Sequence, residues 1–91
     1  MNEKERKLVA LAAYWASRAS GRASKAAAER DAEDAVKYLV MAGVNPTPLP
    51  PHPHSKAQRI DEFCRALCDR LGISQIGSAR EASDIEWELG L

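Results

Sequence analysis

Four side chains in the middle of the chain are of the types that bind zinc: His52, His54, Cys64 and Cys68. Imidazole nitrogens and thiolate sulfurs hold zinc at bond lengths of only ~2.0 to 2.3 Å. If a helix begins after Ser55, Cys64 stands nine residues further along the chain, a rise of about 13 Å along the helix axis. A common site would require the histidine segment to fold back along the helix. We therefore predict no bound metal and no other cofactor.

The two cysteines could also form a disulfide or act as nucleophiles. Helical residues four apart hold their Cβ atoms ~5 to 6 Å from each other, whereas a disulfide requires ~3.5 to 4.5 Å. Cys64 belongs to an apolar stripe and Cys68 stands at its edge, and no histidine or acid lies at a spacing that would activate either thiol. The carboxylates are scattered among basic residues, and there is no glycine-rich phosphate loop. The sequence therefore predicts structural thiols, no catalytic residue and no enzyme.

A tryptophan near the end of the chain could serve as a binding anchor. In a helix with ~100° per residue, Ile85 and Leu89 lie within about 40° of each other, and Trp87 lies roughly 160° from both. Its acidic neighbours in the sequence are Asp84, Glu86 and Glu88. A large aromatic with a polar rim is typical of an interface anchor, and an acidic rim favours a basic partner surface. The alternative is that the last helix packs Trp87 against helix 1.

Other large apolar residues also fall outside the helical stripes, namely Tyr14, Val40 and Met41. Together with the absence of catalytic signals, they favour a non-catalytic protein-binding module, an adaptor or inhibitor that binds another protein or forms a homodimer. Compact helical inhibitors from phages and mobile elements are similar in size and class. The predicted partner-binding residues are Trp87, Asp84, Glu86, Glu88, Tyr14 and Met41.

The alternative function is DNA binding. Residues 66–81, ALCDRLGISQIGSARE, contain LGIS, which resembles the turn of a helix-turn-helix motif. The resemblance implies a regulator in which Gln75 and Arg80 contact bases or phosphates. Ser78 and Glu81 stand where the motif needs apolar packing, and the helix that follows is acidic. Nucleic acid is therefore the less favoured partner.

Four segments with helical periodicity must position these residues, and they predict an all-α fold: a small bundle of about four helices in a single domain, residues 1–91. We expect helices over about 3–20, 25–42, 56–71 and 79–89. Asn2, Ser24, Ser55 and Ser78 are the expected N-caps, and the expected capping boxes are formed with Glu5 and Glu81. The expected break and stop residues are Gly21, Gly43 and Gly72.

The inward stripes follow from the same period. Helix 1 is expected to bury Leu8, Leu11, Ala12, Trp15 and Ala19, and helix 2 Ala28, Ala32, Ala35, Val36 and Leu39. Helix 3 is expected to bury Ile60, Phe63, Cys64, Leu67 and Leu71, and helix 4 Ala82, Ile85 and Leu89.

The connector 45–54 holds all five prolines of the chain. Eight residues of polyproline II, from 46 to 53, span about 25 Å, close to the ~24 Å length of a sixteen-residue helix. Such a proline-rich strap could carry the chain from one end of the bundle to the other, so that helices 2 and 3 run roughly parallel. The connector also contains two PxxP patterns, which leaves a docking motif as an alternative.

Charge and hydropathy narrow the choice of partners further. The chain has 13 basic and 13 acidic residues, so no global basic excess drives nucleic-acid binding. Residues 1–25 hold six basic and two acidic side chains, whereas residues 78–91 hold one and four. We expect the two ends to attract each other or to face partners of opposite sign.

The apolar run 8–16 is too short to span a membrane. With no secretory signal, the expected compartment is the cytoplasm.

Overall fold

The computed structural model describes residues 1–46 and 56–91, which form a small all-α bundle. Within these ranges there are four helices: α1 (Glu3–Ser20), α2 (Lys25–Met41), α3 (Lys56–Leu71) and α4 (Ala79–Glu88). The predicted fold class is confirmed, and each helix begins at the predicted residue and ends within one residue of the predicted one. Most of the predicted proline strap, with His52, His54 and the Ser55 cap, lies outside the described residues.

Local hydrogen bonds explain where the helices begin and end. The Asn2 side chain accepts from the Glu5 amide at 2.8 Å, and the Glu5 carboxylate accepts from the Asn2 amide at 2.9 Å, which completes the predicted capping box. Ser24 caps α2. Gly43 and Gly72 follow α2 and α3 with φ of 80° and 66°, a left-handed conformation that suits glycine and ends a helix.

Helix α1 is the centre of the bundle and packs against each of the other three helices. The predicted stripe for this helix was too narrow, because neighbours cover it on several sides. Trp15, expected in the core, is only half-buried. The buried residues that the stripe missed are Val9, Ala10, Ala13 and Ala16. Their small side chains allow the surrounding helices to approach α1 closely.

Helices α2 and α3 both run antiparallel to α1, and therefore roughly parallel to each other, as predicted. At the C-terminal end of α1, a small alanine cluster joins the three helices: Ala19, Ala32 and Ala57. At the N-terminal end of α1, Glu5 lies beside Gly43, just after α2. Arg6 there donates to the carbonyl oxygen of Leu71, the last residue of α3, at 3.2 Å. The ends of α2 and α3 that flank residues 47–55 thus lie at opposite ends of α1.

The main core lies between α1 and the inner faces of α2 and α3, with a smaller contribution from α4. Ala28 and Val36 of α2, expected in the core, are only half-buried, as are Phe63 and Leu71 of α3. The sequence also missed three buried side chains with polar groups: Tyr38, Asp31 and Asp61. None of the helices within the described ranges is long and apolar enough to cross a lipid bilayer.

Candidate functional site

Helix α4 is attached to the bundle by one narrow apolar face. Ala82 is buried in the main core, and Ile85 and Leu89 pack against that core while remaining half-buried. The Ser78 side chain caps the helix by accepting from the Glu81 amide at 3.2 Å. The predicted capping box is only half formed, because the Glu81 carboxylate accepts from the Gly77 amide at 3.1 Å and not from Ser78.

Two polar contacts fix the second half of α4 to its neighbours. Lys7 of α1 donates to the Glu88 carboxylate at 2.7 Å, so the basic start of the chain meets its acidic end. The hydrogen bond to Glu88 raises the pKa of Lys7. The hydroxyl of Tyr38 on α2 donates to the Glu86 carboxylate. Burial, followed by this hydrogen bond, raises the pKa of Tyr38. Both contacts hold α4 in one orientation on the bundle.

Trp87 points away from the face that packs on the bundle. Its side chain is 87% exposed, the largest exposed fraction among the large hydrophobic side chains of the described residues. The alternative prediction, that Trp87 packs against α1, is therefore wrong. A water-exposed indole on a helix that packs on the bundle is an uncommon arrangement, since burying an aromatic side chain removes about 150 to 250 Å² of surface from water.

The predicted acidic rim around Trp87 is weaker than the sequence implied. Asp84 is exposed, but Glu86 accepts from Tyr38 and Glu88 pairs with Lys7. These two carboxylates are thus engaged within the bundle. The partners of these two carboxylates, Tyr38 and Lys7, are distant in the sequence. Helical periodicity within α4 therefore does not reveal the contacts.

The two other predicted partner-binding residues differ in their exposure to solvent. Met41 is exposed, as expected. Tyr14 is not left over: it is half-buried, packs against the core and makes an edge-to-face contact with Trp15 at a centroid distance of 5.2 Å. Its hydroxyl accepts from Arg18 at 3.1 Å.

The exposed large hydrophobic residues of the described chain share one end of the bundle. This apolar end comprises Met1, Val40, Met41, Trp87 and Leu91. Its members stand at the start of α1, the end of α2 and the end of α4, and the contacts of Lys7 and Tyr38 bring those three termini together. The sequence identified Val40, Met41 and Trp87 but could not show that they lie at the same end.

A cleft of about 210 Å³ lies beside the second half of α1, and the sequence did not reveal it. Its lining comes from α1, α3 and the segment between α3 and α4: Ala13, Tyr14, Ser17, Arg18, Asp61, Arg65, Gln75 and Ile76. Asp61 is only 7% exposed. Its carboxylate accepts from Arg65 Nε at 3.1 Å and from the Ser20 hydroxyl at 3.1 Å. Residues four apart are neighbours on a helix, so the spacing of Asp61 and Arg65 indicates an ion pair. The spacing does not indicate that Asp61 is buried.

The cysteines are buried, as a structural role requires. Burial raises the pKa of Cys64 to about 12 and also raises the pKa of Cys68, so both thiols are poor nucleophiles at neutral pH. No group of three or more ligating side chains occurs in residues 1–46 and 56–91. The zinc alternative needs His52 and His54, which lie outside those ranges.

The residues of the DNA-binding alternative do not come together as in a helix-turn-helix. Gln75 lines the cleft, whereas Arg80 is exposed on α4. Residues 72–78 separate α3 from α4, and no Cα atom of α3 lies within 8 Å of one in α4. A helix-turn-helix joins its two packed helices by a turn of three to four residues. The geometry therefore disfavours this alternative.

Comparison of the chain with protein-family models, with curated protein sequences and with solved structures finds no match. Two surface features of the described chain are suited to binding: the outer face of α4 and the cleft beside α1. The first presents a large apolar group to solvent, which suits binding to another macromolecule. The second is concave and lined by charged and apolar side chains, which suits a small ligand.

Proposed function

We propose that this protein is a non-catalytic protein-binding module, an adaptor or inhibitor, whose contact surface is the outer face of α4 together with the apolar end. The observation that carries the proposal is the 87% exposure of Trp87 on a helix whose opposite face is fixed to the bundle. Tryptophan is enriched among the residues that dominate binding energy in protein interfaces.

The mounting of α4 supports the proposal. Its contacts through Ala82, Glu86 and Glu88 are made before any partner arrives. Binding then orders few additional groups, which lowers the entropic cost of association. The remaining apolar side chains at the same end extend the surface that a partner could cover.

The carboxylates near Trp87 that remain exposed determine the chemistry of the partner. The partner supplies an apolar pocket for the indole, and basic side chains beside it meet Asp84 and the exposed part of Glu88, whose side chain is 59% accessible. Since exposed ion pairs contribute only about 0 to 1 kcal/mol, the indole contributes most of the affinity and the carboxylates mainly orient the partner. A second copy of the chain is the competing partner.

Affinity capture from the organism that encodes the chain tests the proposal. The bait is the full chain, compared with Trp87→Ala, with Trp87→Phe, and with Asp69→Ala, which changes an exposed residue on α3 as a matched control. A specific partner should be retained by the parent and Asp69→Ala, weakly by Trp87→Phe, and lost with Trp87→Ala. Re-measuring the pair with purified partner should give a loss of about 2 kcal/mol or more for Trp87→Ala.

Solution mass over a concentration series distinguishes the second copy from another protein. A dimer that dissociates on Trp87→Ala identifies self-association as the use of this surface. A purified partner that binds parent and Trp87→Ala equally well contradicts the proposed surface, provided that both chains melt at the same temperature.

A further inference from the structure

Two exposed arginines line the cleft between α1 and α3, and each makes a contact within the bundle. Arg65 gives its Nε–H to the buried Asp61 at 3.1 Å, and Ser20 holds the other oxygen of that carboxylate. Asp61 is contacted through Nε alone, so the two terminal amino groups of Arg65 are not used in this ion pair. A guanidinium held through Nε presents those two groups as a planar fork.

The second arginine contacts two aromatic side chains of α1. Arg18 donates to the Tyr14 hydroxyl at 3.1 Å, and its guanidinium carbon lies 6.0 Å from the centroid of the Trp15 ring. Both Arg18 and Tyr14 line the same cleft as Arg65. Because the Tyr14 oxygen accepts from Arg18, its own O–H remains available to donate into the cleft.

The charge and the donors of the cleft match one class of ligand. Two guanidiniums and one carboxylate leave a net positive charge, and the carboxylate is already occupied by Arg65 and Ser20. The remaining lining groups include the donors of Ser17 and Gln75. Arginine forks recognise carboxylates and phosphates by paired hydrogen bonds.

The size of the cleft limits the ligand. Its volume of about 210 Å³ lies below the ~300 Å³ at which sites for drug-sized ligands begin. At ~30 Å³ per water, the volume corresponds to roughly seven water molecules. Ala13 and Ile76 supply apolar surface beside the donors. We propose that this cleft binds a small carboxylate or phosphate anion with a short apolar body, at a site separate from the protein-binding surface.

Amide NMR titration of the full chain tests the proposal with three probes of similar shape: benzoate, phenyl phosphate and benzylammonium, at matched ionic strength. We expect saturable shifts from at least one of the two anions at amides lining the cleft, including those of Ser17, Gln75 and Ile76. Benzylammonium should cause no saturable shift there. Tighter binding of phenyl phosphate identifies a phosphate ester as the natural class, and tighter binding of benzoate identifies a carboxylate.

Variants decide whether the arginines hold the anion. Arg18→Gln should weaken binding at least tenfold, the loss expected for one charge-assisted hydrogen bond. Arg65→Lys keeps a cation for Asp61 but removes the fork, and it should also weaken binding. Arg70→Gln changes an exposed arginine of α3 outside the cleft and should have no effect. Shifts that do not saturate, an equal response to benzylammonium, or unchanged affinity in folded Arg18→Gln would overturn the proposal.

Discussion

Helices α3 and α4 both pack on α1, but they are held in different ways. Helix α3 buries three apolar side chains, two thiols and one carboxylate, whereas α4 buries Ala82 alone. The rest of the attachment of α4 consists of two half-buried residues, Ile85 and Leu89, and two polar contacts, to Lys7 and Tyr38.

This difference distinguishes the buried residues of α3, which stabilise the bundle, from the residues on the outer face of α4, which are available for another function. Burial of apolar surface is the dominant favourable contribution to folding, and α3 supplies far more of it than α4. The stability of the bundle therefore does not depend on the tryptophan on the outer face of α4. Substitutions on the buried face of α3 should therefore change stability, and those on the outer face of α4 should not.

The largest effect is expected for Ile60→Ala on α3. Ile60 is fully buried in the main core, so its removal loses apolar burial and leaves a cavity. We expect the free energy of unfolding to fall by about 3 kcal/mol, measured by urea denaturation. The matched variant on α4 is Ile85→Ala, which should cost clearly less because Ile85 is only half-buried. Equal losses would show that α4 belongs to the core as fully as α3.

A second, smaller effect follows from the pKa of Cys64. Burial raises this pKa from 9.0 to about 12, so the unfolded chain loses the proton at a lower pH than the folded one. Stability is therefore fully present below pH 9 and falls as the pH rises from 9 towards 12. Between pH 8 and pH 10.5, Cys64 should account for about 2 kcal/mol of the loss.

Urea denaturation at the two pH values measures this loss, and Cys64→Ala is the informative variant. Its cavity lowers stability at pH 8 by about 1 kcal/mol, but its stability should fall less steeply with pH than that of the parent. The raised pKa of Tyr38 acts in the same direction above pH 10 and remains in both chains. Equal slopes in the two chains would show that Cys64 is accessible to solvent.

The features that the sequence predicted are those that depend on neighbouring residues. Asn2, Ser24 and Ser78 sit at helix starts because a cap involves only the next three residues. The outward direction of Trp87 follows from the helical period within α4. In contrast, the contacts of Glu86 with Tyr38 and of Glu88 with Lys7 join residues 48 and 81 positions apart.

The cleft was missed for the same physical reason. It requires α1, α3 and the segment after α3 to meet, and the orientation of Arg65 depends on the burial of Asp61 beside Ser20. Sequence periodicity places Asp61 and Arg65 one turn apart on α3, where an exposed ion pair is the usual outcome. Only the position of α1 turns that pair into the wall of a concave site.

A third effect concerns the polar attachment of α4. Tyr38→Phe removes the hydroxyl that donates to Glu86 but keeps the buried ring, so it isolates one hydrogen bond. We expect a loss of about 1 kcal/mol in the free energy of unfolding. Glu88→Gln, which weakens the exposed contact with Lys7, should cost less than Tyr38→Phe. Hydrogen exchange should show the larger increase in the amides of α4 for Tyr38→Phe; an increase spread evenly over all four helices would contradict a local role.

The smallest effect on stability is expected for Trp87→Ala, and it tests the comparison most directly. A buried tryptophan replaced by alanine costs about 3 to 5 kcal/mol, whereas a surface substitution away from packing usually stays within about 0.5 kcal/mol. Since Trp87 is 87% exposed, the second value applies. Alanine also has the highest helix propensity, which offsets part of any loss. The check is the urea midpoint of Trp87→Ala beside that of Ile85→Ala, two positions apart on the same helix. A tryptophan that contributes nothing to stability while its neighbour contributes measurably is one whose role lies outside the fold. A loss of 3 kcal/mol or more would instead place Trp87 in the core and remove the basis for a binding surface on α4.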